Sequence, residues 1–200
     1  MSKRRFILII CFILCLFFCC GEKYRLNLPS AHADSGQINL IKIYVDEEFS
    51  PIEESAIHKS FVAWRKVSGE SIRFDYSFKH IKPGRLESYF WSKQYDDSIF
   101  VWRADSKNIS AAFDEKYASF AGFWDLHGNI VIFADRIDHE NNELYNVMVH
   151  EVGHMLGLKH IVYEKSVMQP KSGDISNCIT KDDSYRLCLI YGCNPEPECD

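Results

Sequence analysis

Apolar and polar positions first alternate over residues 38–45, where Ile41, Ile43 and Val45 share one face and predict a half-buried strand. Ser50-Pro51-Ile52-Glu53 follows, a capping box with proline at the first helical position. The helix it opens carries Ile57, Phe61 and Trp64 at i, i+4 and i+7 and is expected to stop near Gly69. Residues 72–78 alternate again, with Ile72, Phe74, Tyr76 and Phe78 against Arg73, Asp75 and Ser77, and predict a second strand. Residues 79–95, marked by Pro83-Gly84, read as loop, and a third strand is expected over 98–102. Two β-rich stretches, 119–124 and 130–133, flank His127-Gly128-Asn129 and predict a hairpin. Helical periodicity returns over 142–156, closed by Gly157. A last helix is expected from Thr180, with Asp183 three residues on, to Gly192. This order predicts one α+β domain over residues 38–200.

Ahead of that domain, Lys3-Arg4-Arg5 precede an unbroken apolar run over residues 6–20. A basic start and a run of this size predict an export signal, since a membrane span takes about 20 apolar residues. Two ends of the leader stay open. Cys20, followed by Gly21-Glu22, resembles the acceptor of a bacterial lipoprotein signal and would anchor the chain to a membrane surface. Cleavage after Ala33, in Ala31-His32-Ala33, would instead release a secreted protein. Residues 21–37 are polar and read as a tether.

Composition narrows the function. Of 200 residues, 46% are hydrophobic, enough for one core. The 23 basic and 28 acidic residues give a net charge of −5, and three of the basic ones belong to the leader, so a nucleic-acid partner is not expected. Cys11, Cys15, Cys19 and Cys20 lie in the leader, while Cys178, Cys188, Cys193 and Cys199 crowd the C-terminal end. An even number in an exported chain predicts two disulfides. On a straight helix rising about 1.5 Å per residue, Cys178 and Cys188 stand roughly 15 Å apart, beyond the ~7 Å reach of a disulfide. Cys178 is therefore expected to pair with Cys193 or Cys199, and Cys188 with the other.

The chemistry concentrates in His150-Glu151-Val152-Gly153-His154-Met155-Leu156-Gly157-Leu158-Lys159-His160. On a helix, His150 and His154 fall on one face and can present two imidazoles to one ion. Gly157 can end the helix with positive φ, letting the chain double back to bring in His160 as third ligand. Three protein ligands leave a fourth position for water, the mark of a catalytic zinc, and Glu151, one step round the helix, is placed to act as general base.

This motif, with Ser166-Val167-Met168-Gln169-Pro170 following it, resembles the metzincin zinc peptidases and, by the distance from His160 to Met168, their matrixin (matrix-metalloproteinase-like) branch. The resemblance implies a twisted mixed sheet with a long active-site helix and a C-terminal helix, one catalytic Zn2+, and Met168 as an apolar floor beneath the histidines. It implies a protein or peptide substrate, pairing as an extended strand with an edge at 119–124, and a pocket wall over 170–178; a monomer is expected. Tyr163 is a further candidate for oxyanion support. Departures are Ile161, where matrixins usually carry Ser, Gln169 after the methionine, and no histidine in Ile130-Val131-Ile132-Phe133, so a structural zinc and calcium sites are not expected. The expected function is an exported zinc endopeptidase. The competing expectation is a zinc-binding surface protein with this fold and no peptidase activity, against which Glu151, dispensable for holding zinc, speaks.

Overall fold

A computed structural model of the chain describes residues 39–81, 98–105, 121–124, 129–138, 142–162, 165–170 and 176–199. The leader with Cys20 and Ala33, the tether, the turn at 125–128, and Tyr163 lie outside the described residues.

The elements are β1 (Asn39–Asp46), α1 (Pro51–Val67), β2 (Ile72–Ile81), β3 (Ser98–Ala104), β4 (Gly122–Trp124), β5 (Asn129–Phe133), α2 (Glu143–Met155) and α3 (Lys181–Tyr191). They form a mixed five-stranded sheet ordered β2-β1-β3-β5-β4. All neighbours are parallel except β4, which runs antiparallel to β5. Helices α1 and α2 cover one face. There Ile41, Ile43 and Val45 meet Ile57, Phe61 and Trp64 of α1 and Met148, Val152 and Met155 of α2. The other face carries a second apolar cluster of Phe100, Trp102, Phe123, Val131 and Phe133. Strand β5 is consequently buried along its whole length, and its periodicity reads as a continuous run.

Boundaries differ from expectation at three strands, of which β3 runs two residues further, to Ala104, because Arg103 and Ala104 pair with Ile132 and Phe133 of β5. Residues 79–81 extend β2 instead of starting a loop, because a register shift between Lys42 and Tyr44 lets Tyr44, Val45 and Asp46 find partners in Lys79, His80 and Ile81. Asn129 opens β5 and is not part of the turn: its buried side-chain oxygen accepts the Trp102 indole N–H at 3.0 Å.

The termini of the helices follow the sequence signals. Ser50 and Glu53 cap α1 reciprocally, and Thr180 and Asp183 do the same for α3. After α1 the chain turns through Gly69 at φ 57 and Glu70 at φ 63. Helices α1 and α2 are joined by the Trp64 indole N–H, which donates to the Val149 carbonyl at 2.8 Å in the core. They approach closely at Gly153. A Cβ there would lie 2.3 Å from Met168 Sδ and 3.0 Å from Trp64 Cζ2. Met168 and Trp64 are fully buried and have nowhere to retreat. Gly153→Ala is therefore expected to cost about 1–3 kcal/mol, read by urea unfolding, although alanine is the better helix former.

The C-terminal cysteines pair as Cys178–Cys199 and Cys188–Cys193, one of the two arrangements left open by helix geometry. The first ties the tail beside α1 as well: the Glu196 N–H donates to the Val67 carbonyl at 3.1 Å, and the Glu198 N–H to the Ile179 carbonyl at 3.0 Å. The bridges span 21 and 5 residues. Loop-closure entropy then predicts losses of about 3 kcal/mol for Cys178→Ala/Cys199→Ala and about 2 kcal/mol for Cys188→Ala/Cys193→Ala. Thermal unfolding of the two double variants checks that order.

Candidate metal centre

Helix α2 presents its functional face between Met148 and Met155. His150 and Glu151 are buried, and His154 is half-buried. The helix stops where it must. Gly157, at φ 94, sends its N–H to the His154 carbonyl, and the Leu158 N–H reaches the Gly153 carbonyl, both at 2.9 Å. These paired bonds form the glycine-dependent helix terminator, which reverses the chain and brings exposed His160 back over the helix. The returning segment is held on both sides. The Ile161 N–H donates to the Met168 carbonyl at 2.9 Å, and Arg186 Nη2 of α3 donates to the Lys159 carbonyl at 2.9 Å.

The three histidines converge through Nε2. His160 Nε2 lies 3.2 Å from that of His150 and 3.0 Å from that of His154, and the ligand atoms of all three lie within 4.8 Å of one another. The opposite ring nitrogens explain the orientation. His150 Nδ1 lies 2.7 Å from the Val167 carbonyl and His154 Nδ1 lies 2.9 Å from the Leu158 carbonyl. A carbonyl only accepts, so each Nδ1 carries the proton and each Nε2 keeps its lone pair for a metal. Burial, reinforced by His154, pushes His150 down to about 4, and burial lowers His154 and His160 as well. All three are thus uncharged near neutrality, as ligation requires. Three neutral imidazoles within ligand reach of one point fit zinc with one coordination position left to water.

Glu151 follows His150 one step round the helix and is buried. Burial pushes its carboxyl up to about 8, partly offset by the Trp124 main-chain N–H, which donates to it. Met168 is fully buried, with its sulfur against Gly153 of the histidine-bearing helix.

With this geometry in hand, sequence comparison is decisive: the matrixin family model, Peptidase_M10, matches residues 43–192. The chain belongs to the matrixin family. Among its relatives, Interstitial collagenase B of Mus musculus is 38% identical over 155 residues, 73% of this chain and 30% of that protein. Metalloendoproteinase 2-MMP of Arabidopsis thaliana is 42% identical over 55 residues, 26% of this chain and 15% of that protein. This matrixin thus spans less than a third of the length of these relatives. High choriolytic enzyme 1, a hatching enzyme zinc-protease of the medaka Oryzias latipes, gives a TM-score of 0.44 at 14% identity over 78% of this chain and 91% of that one, a distance at which likeness says nothing about activity. Family and donor set together make zinc the cofactor of the three-histidine site.

Sequence reading passed over one residue of this matrixin's centre. Asp183, read only as part of a helix cap, is fully buried. Its oxygens accept from Ser166 Oγ at 2.5 Å, the Val167 N–H at 3.1 Å, the Thr180 N–H at 3.1 Å and Thr180 Oγ1 at 2.7 Å. Since the Val167 carbonyl orients His150, Asp183 braces the first metal ligand through a single residue, whose N–H it holds. An S/T-x-x-D pattern signals the cap, but nothing local signals the contact with Ser166, some fourteen residues before Thr180.

Proposed function

We propose that this matrixin is an exported, zinc-dependent endopeptidase in which Glu151 is the general base. The observation that carries the reading is the convergence of three neutral imidazoles beside a buried carboxyl group on the same helix. When held by His150, His154 and His160, zinc supplies Lewis acidity toward water and the scissile carbonyl. The remaining work belongs to the protein. Glu151 takes a proton from the attacking water at a carboxyl oxygen and returns it to the leaving amine. The extended substrate adds to the sheet at β4, the edge strand beside α2. The pocket wall expected over 170–178 falls largely outside the described residues, at 171–175. Two disulfides support export, because such bonds persist in oxidising compartments.

The test is digestion of a mixed peptide library by the zinc-loaded chain, its Glu151→Ala variant and a chelator-treated sample, followed by mass spectrometry. Cleavage by the first alone, with zinc retained in Glu151→Ala, is the expected result. Zinc binding at one ion per chain with no cleavage by any sample would favour a binding protein instead.

A further inference from the structure

Strand β4 ends the sheet, with β5 on one side and no strand on the other among the described residues. The Phe133 N–H donates to the Ala121 carbonyl at 2.9 Å, which fixes the alternation of this antiparallel pair. Ala121 and Phe123 direct their main-chain groups to β5, whereas Gly122 and Trp124 direct theirs to the open side. On that side the Trp124 N–H meets the Glu151 carboxyl group.

The strand comes this close because position 122 has no side chain. A Cβ there would lie 2.9 Å from Val147 Cγ1 of α2, 2.9 Å from Ile132 Cδ1 and 3.1 Å from the Val131 carbonyl oxygen. Val147 and Glu151 are four residues apart and share a helix face. The spacings match: four helical residues advance about 6 Å and two strand residues about 6.7 Å, so Gly122 seats over Val147 while Trp124 seats over Glu151.

We propose that β4 is a positioning element for the general base, in which the Trp124 main-chain N–H orients the Glu151 carboxyl group and the bare backbone at Gly122 sets their separation. This rests on the reading of Glu151 as general base. It also bears on the substrate. A peptide paired with this edge finds the Gly122 N–H and carbonyl and the Trp124 carbonyl, but the Trp124 N–H is committed to Glu151.

The donor is main-chain, so side-chain truncation alone leaves it in place. Trp124→Ala and Trp124→Pro both remove the indole, and only proline removes the N–H; an edge strand tolerates proline where the lost N–H faces away from the ladder. The experiment measures kcat, KM and zinc content of the full zinc-loaded chain on one cleaved peptide. The expected result is a kcat for Trp124→Pro about 100-fold below that of Trp124→Ala, with KM within about twofold and one zinc per chain. Gly122→Ala should lose kcat in the same way, and Val147→Ala with Ile132→Val in the same chain should restore at least about tenfold of it by removing the two methyl groups in the way. Equal kcat for the alanine and proline variants, or a Gly122→Ala loss that Val147→Ala and Ile132→Val together do not relieve, would overturn the proposal while Glu151-dependent cleavage by the native chain upholds the enzyme. Should Trp124→Pro lose zinc, the combined changes at Gly122, Val147 and Ile132 decide alone. A native chain that binds zinc and cleaves nothing would remove the enzyme reading and this proposal together.

Discussion

Asp183→Ala is expected to destabilise the folded chain by about 4 kcal/mol and to weaken zinc binding at least tenfold. The stability loss follows from the number of donors left behind. Four groups point at the Asp183 oxygens, two of them main-chain N–H groups at Val167 and Thr180 and two of them the hydroxyls of Ser166 and Thr180. Ser166, Val167, Thr180 and Asp183 are all buried, so water cannot step in. Each such bond to a carboxyl group contributes about 1.5–3 kcal/mol, and the four are too close to add fully, which sets the total near 4 kcal/mol. The zinc effect travels through Val167, whose N–H is held by Asp183 and whose carbonyl holds His150 Nδ1. Loss of such a support for a ligand costs roughly 10–100-fold in metal affinity. Asp183→Asn, which keeps one acceptor oxygen, should fall between. Competition with a chelating dye at a urea concentration where the variant is still folded separates the two effects. Native zinc affinity in folded Asp183→Ala would refute the relay from α3 to His150, whatever the stability.

The contrast between Asp183 and the histidines shows where the sequence is legible. His150, Glu151, His154, Gly157 and His160 lie within one helix and its terminator, so helical spacing and a single positive-φ glycine determine their arrangement. Likewise Ile41, Ile43, Val45, Ile57, Phe61 and Trp64 declare their buried faces by period alone. What brings Ser166 to Asp183, Gly153 to Met168 or Gly122 to Val147 is tertiary packing between segments whose local patterns do not mention one another. β5 was legible as apolar, but only the sheet order tells that both of its faces are covered. The boundary details that departed from expectation, the extensions of β2 and β3 and the placing of Asn129 in β5, were set by partner strands: β1 for β2, β5 for β3, and the Trp102 indole of β3 for Asn129.

Glu151→Gln should be nearly inactive and, without metal, more stable than the native chain above pH 6.5. The activity loss follows from chemistry: a carboxamide cannot take the proton, and removing a general base of this kind costs about 10²–10⁴ in rate. The stability gain follows from linkage. Burial holds Glu151 at about 8 in the folded chain against 4.5 for the free group. A raised carboxyl contributes its full stability below pH 4.5, where both states are protonated, and that contribution is lost as the pH climbs to 8 and only the unfolded chain ionises freely. The slope is about 1.4 kcal/mol per pH unit. His150 acts in the opposite sense. Its folded value of about 4 against 6.5 means stability is full above pH 6.5 and is lost as the pH falls towards 4. His154 and His160, also lowered, act in the same direction as His150. Below pH 6.5 the two effects oppose each other, and between pH 6.5 and 8 Glu151 acts without the histidines, removing about 2 kcal/mol from the metal-free native chain. Glu151→Gln lacks that slope. Urea unfolding in excess chelator at both ends of the window reads the difference directly. Added zinc should flatten the native slope, because a nearby cation favours the carboxylate and draws its pKa down. Parallel slopes for the native and glutamine chains in chelator would mean that the carboxyl group is hydrated in the folded state, and the case for a base held near neutrality by burial would fall with them.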